Sequence, residues 1–261
     1  MLEINRIYNL DCLDLMSNIQ DETVDLIIAD PPYNLNKNFG NNSDVWKSVE
    51  DWVKWSKKWI VESKRILKPT GSIFIYGIHH YLCYLQVYLY EIDMSYRRQI
   101  IWHYENGFST YKNGPAATYE PILWFSKSDK FIYMPIREPY KSKERLKNKI
   151  IKNGKVWTPN PNGKHTGDVW NFPTLAGRRF KDEKVNHPSQ KPLTISNRII
   201  QHFCLQNSLV CIPFAGSGSE CVSCALNKRN FIASEINPNY IEIANKRLQE
   251  LKVYIACEEE L

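Results

Sequence analysis

Apolar runs of strand length recur along the chain at Ile4–Asn9, Val24–Ala29, Ser72–Ile78, Gln99–Tyr104, Pro121–Phe125, Leu209–Ile212 and Phe231–Ser234. Helical spacing fills several of the gaps between them. From Asp51 to Leu67, residues Trp52, Trp55, Trp59, Ile60, Ser63 and Ile66 recur near the 3.6-residue period, which reads as one face packed on a sheet. Lys68-Pro69-Thr70-Gly71 then predicts a helix stop and a turn before the next strand. Further helices are expected over Leu193–Cys204, Ser219–Asn227 and Pro238–Leu251. This alternation predicts an α/β domain with a mostly parallel sheet and helices on both faces. No internal repeat or low-complexity tract interrupts it.

Two of the strand ends carry residues that packing alone does not require. The run Val24–Ala29 delivers Asp30-Pro31-Pro32-Tyr33 at its carboxyl end. Proline fixes φ and has no amide hydrogen, so the turn stays extended with its carbonyls outward, and the tyrosine ring can stack on a planar group bearing an amine. Downstream, Val210-Cys211-Ile212-Pro213-Phe214-Ala215-Gly216-Ser217-Gly218-Ser219 is a strand breaking into a glycine turn that opens a helix. Glycine lets the backbone pass close to a ligand, and the helix start offers unpaired N–H groups. The next strand ends on Glu235, 17 residues after Gly218, followed by Ile236 and Asn237. An acid at that place accepts hydrogen bonds from ribose hydroxyls in dinucleotide-type folds.

Composition agrees with a single enzyme domain. At 261 residues, 43% hydrophobic and 13% aromatic, the chain has material for a sizeable core. No apolar run approaches the roughly 20 residues that span a bilayer, and Met1-Leu2-Glu3-Ile4-Asn5-Arg6 does not read as a signal peptide, so a cytoplasmic protein without membrane contact is expected. Seven scattered cysteines read as reduced thiols. Cys221-Val222-Ser223-Cys224 lacks a partner pair, so it is expected to pack in its helix, and no metal site is expected.

The net charge of +6 is unevenly spread. Residues 138–186 hold 12 Lys or Arg against 5 acids, leaving 22 basic and 23 acidic residues elsewhere. The whole positive excess therefore lies in one segment, interleaved with Trp157, Trp170, Phe172 and Phe180 and with turns such as Thr158-Pro159-Asn160-Pro161-Asn162-Gly163. That is the footprint of a phosphate-contacting surface, with Lys141, Lys143, Arg145, Lys155, Lys164, Arg178, Arg179 and Lys181 as candidate DNA-binding residues. The chain divides on this reading into 1–137, a recognition insert at 138–186, and 187–261.

Taken together, Asp30-Pro31-Pro32-Tyr33 followed far downstream by Phe214-Ala215-Gly216-Ser217-Gly218 resembles the amino-group DNA methyltransferases, in the group where the first motif precedes the second. His187-Pro188-Ser189-Gln190-Lys191-Pro192 is similar to the family's His-Pro-Thr-Gln-Lys-Pro segment, and Asn9-Leu10-Asp11-Cys12 to its first strand end. The resemblance covers nearly the whole chain. It implies a Rossmann-like methyltransferase fold of seven strands with an antiparallel edge strand, and S-adenosyl-L-methionine as cofactor. It places Asp11 and Cys12 by the adenine of that cofactor, and His187, Ser189, Lys191 and Asp30 near its methionine end. Pro213 to Gly218 would line the middle and Glu235 to Asn237 the ribose. Double-stranded DNA is the implied substrate, and a cognate restriction endonuclease and a homodimer are implied partners.

The chemistry follows from an exocyclic amine whose lone pair is delocalised into its ring. The Asp30 side chain, and the Pro31 carbonyl as the resemblance suggests, would accept its two N–H bonds while Tyr33 holds the flipped base, and transfer would be in-line. No Pro-Cys pair offers a thiolate for attack on cytosine C6. The polar loop Asn34–Trp46 is expected either to close over the base or to be a plain surface loop. Asp at the first motif position favours adenine N6, with cytosine N4, an RNA or protein amide substrate, and a weakly active or inactive DNA-binding relative as alternatives. One departure stands out: Ile212 replaces an aspartate that the family sets beside the methionine ammonium. The loss amounts to about 1.5–3 kcal/mol of cofactor binding unless Asp30 or Glu220 compensates.

Overall fold

Each predicted strand starts or ends within a few residues of an observed one, and the order in which they pair is what builds the site. The computed structural model describes residues 2–37, 39–40, 44–106 and 114–259, with side chains through Leu251. Residues 38 and 41–43 of the polar loop Asn34–Trp46, whose closing was one of two expectations, lie outside the described residues. The elements in chain order are β1 (Arg6–Tyr8), α1 (Cys12–Ser17), β2 (Val24–Ala29), α2 (Val49–Ile66), β3 (Leu67–Tyr76), α3 (Leu82–Glu91), β4 (Ser95–His103) and β5 (Tyr119–Ser126). The basic segment carries the short strands β6 (Arg137–Glu138), β7 (Ile150–Lys152), β8 (Lys155–Trp157), β9 (Lys164–His165) and β10 (Val169–Asn171). The chain closes with α4 (Leu193–Phe203), β11 (Leu209–Ile212), α5 (Ser219–Leu226), β12 (Asn230–Ser234) and α6 (Pro238–Glu259).

The main sheet runs β1-β12-β11-β2-β3-β5-β4-β10. Pairings are parallel except those of β5 with β3 and β4, so seven strands point one way and β5 alone is reversed. Mostly parallel pairing is as predicted, with two differences. The sheet has eight strands rather than seven, because β10 adds parallel to β4. The antiparallel strand is also not at the edge, since β4 and β10 lie outside β5.

Side chains alternate across β2, and the two faces bury different partners. Leu26 and Ile28 pack with Ile195, Ile199 and Phe203 of α4 and Cys221 and Cys224 of α5. Ile27 and Ala29 pack with Leu15 and Met16 of α1, Trp52, Trp59 and Ile60 of α2 and Leu85 and Leu89 of α3. Helices therefore cover both faces, and Cys221 and Cys224 are buried packing residues as expected. The six cysteines whose side chains are described are unpaired. Among the described residues no helix is long and apolar enough to cross a membrane, and no cluster of His, Cys, Asp or Glu is arranged for a metal.

Local chemistry sets the helix ends. Ser48 caps α2 by accepting the Asp51 amide at 3.1 Å, with Glu50 and Asp51 in the first turn and Lys64 and Arg65 in the last, each favourably placed on the helix dipole. The expected turn at Lys68–Gly71 is absent: the backbone leaves α2 at Leu67 directly into β3. Pro69 still forbids helix, but its fixed φ is compatible with strand as well as turn, and the β2–β3 register shift between Val24 and Leu26 accommodates it. In the basic segment, Asn153 and Gly154 both have positive φ, +52° and +71°, and form the two-residue loop of the β7–β8 hairpin.

Candidate active site

The sheet order reverses between β11 and β2: β2 leads to β3 on one side and β11 to β12 on the other. In an open parallel sheet the crevice beyond the carboxyl ends at such a switch point is where ligands bind. Here the residues following β2 and β11 wall a cavity of about 350 Å³, within the usual range of small-molecule sites. Asp30, Pro31, Pro32 and Tyr33 line it. So does every residue expected at the cofactor except Gly218 and Asn237.

The tetrapeptide is held from both sides. The Trp52 indole N–H donates to the Pro32 carbonyl at 2.9 Å, tying the turn to α2. Among the described residues the Pro31 carbonyl has no donor. Asp30 accepts from the Tyr33 hydroxyl on Oδ1 at 2.5 Å and faces the Lys191 ammonium from Oδ2 at 3.0 Å. Tyr33 is only 8% exposed, and burial with the neighbouring Asp30 charge pushes its pKa up, so the phenol stays protonated and donates. Lys191, 5% exposed, also reaches Glu120 Oε2 at 3.4 Å. Burial alone depresses an ammonium, but Asp30 and Glu120 outweigh it and raise the pKa of Lys191 above its ordinary value. The cation is fixed, and it holds the Asp30 carboxylate in one orientation.

On the β11 side the glycine turn is required twice. Gly216 has φ +47°, and a Cβ there would stand 3.0 Å from His187 Nε2. Gly218 has φ +75°, and its Cβ would meet the Ala244 Cβ of α6 at 2.6 Å. Arg247 of α6 clamps the turn by donating to the Ser217 carbonyl at 2.6 Å. Glu235, at the end of β12, accepts the amides of Gly216 and Asn237 on its two oxygens, each at 2.9 Å. Each oxygen retains a second lone pair, so the carboxylate can still accept a ligand hydroxyl. Burial raises its pKa and the amide donors oppose the rise. At the end of β1, Asp11 caps α1 through the Leu13 amide at 2.8 Å and borders the same cavity with Cys12. A mouth bearing glycine backbone, two strand-end acids and apolar side chains fits an adenosine-bearing cofactor.

His187 closes the remaining side. Its ring meets Tyr240 edge-on at 4.4 Å between centroids, and burial holds its pKa down to about 4. It is therefore a neutral ring near pH 7. Ser189 lines the cavity beside it, and the Ser219 hydroxyl donates to the Lys191 carbonyl at 2.8 Å, joining this segment to α5.

Residues 24–246 match the DNA methylase family. The chain belongs to that family. It is 34% identical to the Type II methyltransferase M1.MboII of Moraxella bovis, over 97% of this chain and all of that one. It is 33% identical to the DNA adenine methyltransferase YhdJ of Escherichia coli K12, over 98% of this chain and 86% of that one. Its fold is shared with the crystal structure of the M1.HpyAVI–SAM complex at a TM-score of 0.63 and 24% identity, over 93% of this chain and 98% of that chain. S-adenosylmethionine is the methyl donor of this family, and so of this methylase.

The basic segment of the methylase is built differently. Lys141, Lys143, Lys155, Lys164, Arg178, Arg179 and Lys181 are exposed and Arg145 is half-buried. Among the described residues none of the eight lies within ion-pair distance of a carboxylate. Trp157 is 64% exposed on the β7–β8 hairpin, whereas Trp170 on β10 is buried and Arg198 of α4 lies over its ring. The segment thus contributes both a core strand and a free cationic face.

Several residues at the cavity escaped the sequence reading. Trp46, Trp55 and Tyr240 line it, and Glu120 contacts Lys191. Trp55 shared its helical stripe with Trp52 and Trp59, so periodicity marked it only as inward-facing. Glu120 reaches the site because the reversed β5 begins at the edge where the parallel strands end. No local signal in the sequence carries that.

Proposed function

We propose that this methylase transfers the methyl group of S-adenosylmethionine to the N6 amine of an adenine flipped out of a short duplex site, within a restriction-modification system. The observation that carries the reading is the Asp30 carboxylate, fixed by Lys191 and Tyr33 in the same cavity as the glycine turn and Glu235. Tyr33 and Lys191 each occupy one direction on the Asp30 oxygens and leave a lone pair on both. One of these accepts an amine N–H, and the Pro31 carbonyl accepts the other. Both bonds strengthen as the nitrogen pyramidalises and gains positive charge, so they stabilise the transition state more than the ground state. As the new N–C bond forms the S–C bond breaks, and an amine proton leaves by way of Asp30.

Adenine is favoured by the aspartate at position 30 and by the 33% identity to an adenine methyltransferase. Cytosine N4 is the second reading, because this family includes enzymes of both kinds and the same two acceptors serve either amine. Residues 138–186 would supply DNA recognition. A cognate endonuclease and a homodimer are further parts of the proposal, the first supported by the Type II relative.

The test is to incubate the protein with unmethylated duplex DNA and methyl-labelled S-adenosylmethionine and to identify the labelled nucleoside after digestion. N6-methyldeoxyadenosine is expected. N4-methyldeoxycytidine would keep the mechanism and overturn the base, and labelling of RNA or protein alone would overturn the DNA substrate.

A further inference from the structure

Deep in the cavity stands an acid for which transfer chemistry has no use. Glu220, in the first turn of α5, is 5% exposed and lines the cavity. Its Oε1 accepts the Ser196 hydroxyl at 2.9 Å, and no other side chain among the described residues donates to it. The nearby cations are already paired: Lys191 with Asp30 and Glu120, and Arg247 with the Ser217 carbonyl. Two carboxylates thus contact the Lys191 ammonium, and Glu220 feels it only at longer range. A buried carboxylate with a single hydroxyl partner is costly unless a cation joins it, although its own backbone amide at the helix start offsets part of that cost.

The position of Glu220 selects the cation. It stands on the Asp30 side of the cavity, where methyl transfer would occur, and it interacts electrostatically with both Asp30 and Lys191. Glu235, the acid suited to ribose, marks the other end. The amino-acid moiety of the methyl donor lies beyond its sulfonium from the ribose, so its ammonium falls on the Glu220 side. Meanwhile Ile212, at the end of β11, is fully buried in the core and does not reach the cavity. Resting on the reading of this cavity as the S-adenosylmethionine site, we infer that Glu220 is the carboxylate that binds the α-ammonium of the cofactor. The acid has moved from the strand end, position 212, to the first turn of the following helix.

The test compares two ligands that differ at the amino-acid end. S-adenosylhomocysteine carries the ammonium, and 5′-methylthioadenosine lacks the whole amino-acid group. For E220Q, calorimetric titration should show S-adenosylhomocysteine weakened roughly ten- to hundredfold, the range of a lost charge-assisted hydrogen bond, with 5′-methylthioadenosine within about twofold of wild type. E220D keeps the charge but withdraws it by one methylene, and should lose less on the first ligand and nothing on the second. Unchanged affinity for S-adenosylhomocysteine in both variants overturns the assignment. So does an equal loss of both ligands, which would make Glu220 a structural residue. Wild-type protein that binds neither ligand would overturn the cofactor site itself, whereas binding of both with no selective loss in the variants overturns Glu220 alone.

Discussion

Around the Asp30 carboxylate and the glycine turn the buried cations have partners within hydrogen-bond reach: Lys191 lies between Asp30 and Glu120, and Arg247 lies on the Ser217 carbonyl. Across residues 138–186 the eight candidate DNA-binding cations stand largely in solvent and meet no carboxylate among the described residues. The contrast reflects what each surface does. A transferring site must hold its acceptors still, and burial makes every pairing strong and every unpaired charge costly. A surface that meets phosphates needs cations that water and salt can exchange, because affinity there comes largely from counterion release. Preorganisation belongs to the first region and availability to the second.

Substitutions can break this division where it is strongest. Lys191→Met would leave the half-buried Asp30 and Glu120 without their cation, and denaturant unfolding should show a loss of about 2–3 kcal/mol. The same methionine at exposed Lys141 should change stability by less than about 0.5 kcal/mol. If the two variants proved equally stable, the distinction between paired and available cations would fail.

Backbone comes next. Gly218→Ala forces a side chain into positive φ against Ala244, so it should cost about 1–3 kcal/mol and weaken cofactor binding measured by titration. Alanine at Gly154, which also has positive φ but open space around it, should cost only the conformational part of that and leave cofactor binding unchanged. On the basic side, Arg178→Ala with Arg179→Ala should weaken duplex binding for all sequences alike. It should also flatten the dependence of log K on log salt by about one unit for each phosphate that is no longer neutralised. Cofactor affinity should not move, and a selective loss for one sequence would instead assign the arginines to base edges.

The smallest effect is a pH response. Burial holds His187 near 4, whereas an unfolded histidine titrates near 6.5. Between those values the unfolded chain takes up the proton and the folded chain does not. The stability contributed by the neutral ring is therefore complete above about pH 6.5 and is lost as pH falls towards 4. Thermal unfolding from pH 7 to 4.5 should fall less steeply in His187→Gln than in wild type, and identical slopes would show that the ring is not held neutral.

The two regions also differed in how they could be read. The cavity was legible as spaced motifs, because Asp30-Pro31-Pro32-Tyr33, the glycine turn and Glu235 sit at strand ends and a strand end has only one edge to face. Glu120 was not legible, since it depends on the reversal of β5. Nor was β10, a three-residue strand whose place depends on pairing with β4 about 70 residues earlier. Helix α3 was missed as well: its near-continuous apolar sequence, with Tyr84, Val87 and Tyr90 exposed, lacks the polar stripe that reveals a surface helix. The basic segment was legible only as composition, because exposed cations need no fixed spacing to attract a polyanion.

The central claim is that Asp30 performs transfer while other residues hold cofactor and DNA. Single-turnover transfer of labelled methyl to duplex DNA, by wild type and Asp30→Ala at saturating cofactor and DNA, tests it most directly. A fall of about 10³-fold or more is expected in the variant, with both ligands still bound, as for loss of a preorganised transition-state acceptor. A variant that transferred methyl within tenfold of the wild-type rate would contradict it.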